Sequence, residues 1–117
     1  MLFLTNEEKN MKVLFNEISN TNNSEFIFLY SSTLILDVLV ENFFETDNGE
    51  DIESDNYEEY NAFVIEVKMI IIDDNNEYKV GELFELNYKN FPIKIKTLDG
   101  RTIYQDKNQE KSKEPHP

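Results

Sequence analysis

The sequence has no cysteine and one histidine, His116, in a polar stretch at its C-terminus. Without cysteine there is no disulfide framework and no thiol chemistry. With histidine confined to that stretch, Ser–His and Cys–His catalysis lose their base. Histidine-based zinc sites go with them. The three glycines stand isolated at positions 49, 81 and 100, so no glycine-rich loop exists to cradle phosphate. Proline is equally scarce at three residues, which leaves turns to Asn, Asp and Ser. The N-terminus lacks a basic region followed by an apolar run, so no signal peptide is expected. The apolar runs are too short to span a bilayer, and no membrane association is expected.

The most telling absence is basic charge. No Lys or Arg lies between Lys12 and Lys68. The same interval holds Glu17, Glu25, Asp37, Glu41, Glu45, Asp47, Glu50, Asp51, Glu53, Asp55, Glu58, Glu59 and Glu66. Acids and bases cancel elsewhere, so the whole formal charge of −13 belongs to residues 13–67. It is densest from Glu41 to Glu59, ENFFETDNGEDIESDNYEE. Such a field repels nucleic acid and anionic membrane and attracts basic proteins.

The chain is not disordered for all that. Hydrophobic residues make up 39% and aromatic residues 13% of its 117 residues, enough for one domain with a modest core. Thr5 and Glu8 fit a capping box. Met11, Leu14, Phe15 and Ile18 recur at helical spacing behind it, which predicts a helix over Asn6–Ser19. Glu25–Ser31 (EFIFLYS) reads as a short strand. In Thr33–Thr46 the polar residues Thr33, Asp37, Glu41 and Glu45 fall every fourth position, which suits a buried helix or one strand face. Ile, Val, Thr and Phe favour the strand, and the helix stays as the alternative. One of Phe43 and Phe44 belongs to the core by alternation. Asp47–Asn61 has no period and reads as a long loop, of the kind that is functional or mobile.

Ala62–Ile72 alternates Phe63, Ile65, Val67, Met69 and Ile71 against Glu66 and Lys68, the pattern of a central strand. Asp73–Asn76 is a turn. Glu77–Tyr88 reads as a strand with a bend at Gly81. Phe91–Leu98 follows, with Pro92 at a strand start or edge. Asp99-Gly100 is a hairpin signal, and Arg101–Gln105 closes that hairpin. The expected fold is α+β. An N-terminal helix packs on a mostly antiparallel, strongly bent sheet of five or six strands. The domain spans 1–106, the acidic loop 46–61, and a polar tail 107–117. The pattern of Ala62–Gln105 resembles an SH3-like barrel half.

The acidic loop invites comparison with a helix-loop-helix calcium site. Counted from Asp47, the calcium pattern puts Asp51 and Glu58 at ligand positions, but Gly49 takes another and Ile52 takes the required glycine's place. No metal or other cofactor is expected. Lys94, Lys96 and Arg101 fall on one face of the last hairpin, where they suit an exposed sheet face whose charges blunt an edge. Carboxylate pairs are too abundant for any one to indicate acid–base catalysis, and no enzyme is expected.

What remains is the acidic loop with its tyrosines. Glu50, Asp51, Glu53, Asp55, Glu58 and Glu59, with Tyr57 and Tyr60, form the candidate contact surface. Carboxylates engage Lys and Arg, and tyrosine supplies buried area at low entropic cost. In character the chain resembles immunity proteins or antitoxins that plug the basic site of a nuclease-type toxin. It equally resembles anti-CRISPR-like inhibitors that occupy a nucleic-acid groove. Both are small, acidic and poor in cysteine, and both meet surfaces built to hold phosphate. The expected role is a cytoplasmic, non-enzymatic inhibitor of a basic protein. A scaffolding subunit with a merely solvating loop is the alternative.

Overall fold

The computed structural model of the protein describes residues 9–106. The Thr5–Glu8 cap and the tail beyond Asp106 lie outside the described residues. The elements run α1 (Lys9–Thr21), β1 (Glu25–Ser31), β2 (Leu34–Asp47), β3 (Glu59–Asp73), β4 (Leu83–Leu86), β5 (Lys94–Thr97) and β6 (Thr102–Gln105). All strand pairs are antiparallel. They form one open sheet in the order β4-β3-β2-β1-β5-β6, an α+β fold with the helix on one face.

The helix follows from its apolar stripe. Met11 and Leu14 are fully buried, and Phe15 and Ile18 pack beside them. Burying each of the first two contributes about 1.5–3 kcal/mol. The helix ends where Asn22 turns left-handed (φ 59°). There the Asn22 amide donates to the Ile18 carbonyl at 2.9 Å, and the Thr21 hydroxyl donates to the Glu17 carbonyl at 2.7 Å. This is a left-handed cap that satisfies carbonyls the helix leaves over. Opposite the helix, Phe26, Phe28, Leu36, Val38, Val40, Phe63, Ile65, Val67, Leu86 and Ile95 complete the core.

Thr33–Thr46 is a strand, and three irregularities in the β2–β3 ladder decide which of its neighbours face inward. Val38 pairs with Val67 but Asp37 pairs with Met69, so Lys68 is an extra residue. A bulge of this kind reverses the alternation. Met69 therefore does not enter the core as its spacing predicts; it is 58% exposed, and Ile71 is exposed too. Ile70 packs against the core in its place. On β2 the extra residue falls between Val40 and Phe43, which sends Phe43 inward. Its ring lies 5.0 Å from Phe15 and 4.6 Å from Phe63. Phe44 faces the other way, beside Ala62 in the ladder.

The long strand expected over Glu77–Tyr88 shrinks to Leu83–Leu86. The Asp73 carboxylate takes the amides of Glu77 and Tyr78 at 3.0 and 2.8 Å, and Gly81 sits at φ 88°. Both hold the backbone out of extended geometry. The likeness of Ala62–Gln105 to a barrel half also fails. β4 is one edge of the sheet, whereas β5 pairs with β1 on the far side. The segment 87–93 crosses between them on the helix side, where Tyr88 and Phe91 pack against the core and Pro92 is buried. The Asp99-Gly100 hairpin forms as its sequence predicts, with Gly100 at φ 95°. The register shifts in this hairpin, between Ile95 and Lys96. Arg101 does not join Lys94 and Lys96. It pairs with Glu17 of the helix at 2.5 Å, while Lys94 and Lys96 pair with Leu29 and Ile27.

Candidate functional site

The acidic stretch is the far end of a long hairpin. β1 pairs with β2 only from Leu34 to Leu39, and β4 pairs with β3 only from Phe63 to Glu66. Beyond those limits β2 and β3 continue together, from Phe44–Ala62 to Asp47–Glu59. The result is a two-stranded arm that outruns its neighbours. The Phe15–Phe43–Phe63 ring cluster fixes its base to the core. The expected loop over 47–61 is accordingly shorter, Asn48–Glu58, because Glu59, Tyr60 and Asn61 belong to β3. The alternation of Asn61, Phe63 and Ile65 continues the inward face, with Asn61 only 4% exposed.

The loop is built by its own side chains. Asn48 spans it. Its Nδ2 donates to the Asn56 carbonyl at 2.6 Å, and its Oδ1 accepts the amides of Glu50 and Glu58 at 3.2 and 3.3 Å. Its backbone amide donates to the Glu58 carbonyl at 3.1 Å. Asp47 and Asp51 each accept the amide two residues on, from Gly49 and Glu53. Ser54 accepts from Asn56 in the same way. These short-range bonds are what Asn, Asp and Ser offer where glycine and proline are scarce. They hold the tip in one shape.

The candidate residues divide into two groups. Glu50, Asp51, Glu53 and Asp55 are exposed at the tip. Ile52 stands among them, 74% exposed. Tyr57, Glu58, Glu59 and Tyr60 lie below the tip. There desolvation, and then the Glu59 carboxylate, raise the Tyr57 hydroxyl above its ordinary pKa. Glu58 is held on both oxygens. Lys89 Nζ lies 2.7 Å from Oε1, and the Tyr88 hydroxyl donates to Oε2. Lys89, followed by Tyr88, holds the Glu58 carboxyl below the usual range, and the Glu58 carboxylate raises Lys89 in turn. The Lys89 ammonium also stands 5.6 Å from the Tyr60 ring centre and 5.8 Å from that of Tyr88. Those two rings meet edge-on at 6.2 Å.

Composition alone did not single out Ile52, Tyr88 or Lys89. Ile52 carries a signal, as the one aliphatic residue between Val40 and Ala62. Tyr88 and Lys89 are brought in by the crossing segment, which no local pattern foretells. Among the described residues no group of three or more Asp, Glu, His or Cys converges as a metal site. Nor is any helix long and apolar enough to cross a membrane.

An exposed acidic arm with one aliphatic side chain at its tip is suited to gripping another protein. The family model described as cognate immunity protein YxxD matches residues 9–108. The chain belongs to this family. No curated protein and no solved structure matches it. An immunity protein acts by binding the toxin it is paired with. That role calls for a surface of fixed shape and charge rather than for catalytic groups.

Proposed function

We propose that this immunity protein neutralises its cognate toxin by setting the tip of the β2–β3 arm into a basic surface. Glu50, Asp51, Glu53 and Asp55 carry the charge, and Ile52 supplies an apolar anchor. The observation that carries the reading is the display of four exposed carboxylates around a 74% exposed isoleucine. A solvating loop needs neither the Asn48 bridge nor the aliphatic side chain. The toxin surface best matched to this charge is one built to hold phosphate, as in a nuclease that cuts DNA or RNA. A nuclease finds its substrate in the cytoplasm, and a cysteine-free chain suits that reducing compartment.

Association kinetics with the cognate toxin test the reading. The Asp51→Asn/Glu53→Gln/Asp55→Asn variant should associate about tenfold more slowly at low salt. Its rate should also depend less on ionic strength. Ile52→Ser should instead speed dissociation, by about 1–2 kcal/mol if it is a buried anchor. Association of the triple variant at the wild-type rate, with the wild-type salt dependence, rules out the acidic tip as the steering surface.

A further inference from the structure

We propose that Glu58, Tyr60 and Tyr88 form a receptor for one cationic side chain of the toxin, kept filled in the free protein by the chain's own Lys89. This rests on the reading that the arm meets a basic surface. The three groups surround one point. The Glu58 carboxylate contacts the ammonium at 2.7 Å, and the two rings lie 5.6 and 5.8 Å from it. The Tyr88 hydroxyl holds the other carboxylate oxygen, so the carboxylate is oriented before any partner arrives. A carboxylate beside two ring faces is the chemistry that selects a cation.

The lysine that fills the receptor is held loosely. Its side chain is 51% exposed and that of Glu58 is 36% exposed. Ion pairs at this exposure contribute little to stability. Lys89 belongs to a connecting segment, and four rotatable bonds let it swing into solvent. An arriving arginine is the stronger occupant. Its planar guanidinium can contact the carboxylate at two points and stack on a tyrosine face, which an ammonium cannot do. The position suits this exchange, because Glu58 closes the base of the loop whose tip acids would already have steered a basic surface inward. Lys89 then keeps a preformed cation site occupied until the right partner displaces it.

The test is a titration with Nα-acetyl-arginine amide, followed by NMR through the ring protons of Tyr60 and Tyr88. The Lys89→Ala variant should bind the probe about two- to fivefold more tightly than wild type, the competition expected of a tethered but exposed ion pair. Adding Glu58→Gln should remove that gain. Equal titration of wild type and Lys89→Ala, or no ring shifts in the variant, overturns the proposal and leaves Lys89 as a surface tether. Lys89 is exposed, so its replacement leaves the fold intact. The tip acids are separate from the receptor. A failed titration with salt-steered toxin association intact removes the receptor alone. A successful titration with toxin association indifferent to the tip acids upholds the cation site and overturns the tip reading.

Discussion

Asp37 shows how one residue can hold a local cost. It sits on the sheet face away from the helix, diagonal to Glu25 in the β1–β2 register. Burial raises its carboxyl to about 6, and a hydrogen bond and charge repulsion from Glu25 add to the effect, while Lys68 opposes it. Its Oδ1 has no hydrogen-bond partner among the described residues. Because the folded pKa lies above the unfolded one, ionised Asp37 costs stability at neutral pH. That cost is relieved as the pH falls through about 6 toward the ordinary carboxyl range near about 4. With screening by solvent allowed for, the gain is about 1 kcal/mol, or about 4 °C in Tm. Below that range Glu58 and Asp99, both held below their ordinary values, take up protons and the trend reverses. Thermal melts at pH 7.5 and pH 5 should show the rise in wild type and its loss in Asp37→Asn. A wild-type Tm that only falls over that interval contradicts this. The acidic composition alone foretells a stabilising acidification; the fold places a source of it at Asp37, which strand register sets diagonal to Glu25.

At the scale of elements, the sequence is most legible where apolar alternation is strongest. Glu25–Ser31 forms over the predicted residues, and α1, β2 and the last hairpin form close to theirs. What escapes is the parity of β3. Phe63, Ile65, Val67, Met69 and Ile71 look identical in pattern, and only the extra residue at Lys68 separates the first three from the last two. A bulge depends on the partner strand, so the strand's own residues do not reveal it. Paired substitutions expose the difference. Val67→Asp buries an unpaired charge and should cost about 3–5 kcal/mol. Met69→Gln, two residues on, puts an uncharged polar side chain opposite Asp37 and should change stability by no more than about 0.5 kcal/mol. Denaturant melts that find the two equally damaging would mean that the bulge is absent. The crossing segment escapes for a related reason. Nothing in Asn87–Ile93 says that it leaves one edge of the sheet for the far side of β1, and so nothing in the sequence places Tyr88 and Lys89 beside Glu58.

For the whole molecule, the sign of the charge and its confinement to residues 13–67 were legible, because both are properties of the sequence. Their delivery on an arm was not. The arm exists because β2 and β3 outlast the strands beside them, and because three phenylalanine rings tie its base to the helix. With the charge set at the end of that arm, basic partners within roughly a Debye length, about 8–10 Å, feel the tip before the body of the protein. The central claim is that this tip is what the toxin meets. Amide hydrogen exchange of the immunity protein, free and bound to its cognate toxin, tests it most directly. The account predicts that new protection concentrates in Asn48–Glu58 and the adjoining ends of β2 and β3. Protection over Ile27, Leu29, Lys94 and Lys96 on the face away from the helix, with Asn48–Glu58 exchanging as in the free protein, would contradict it.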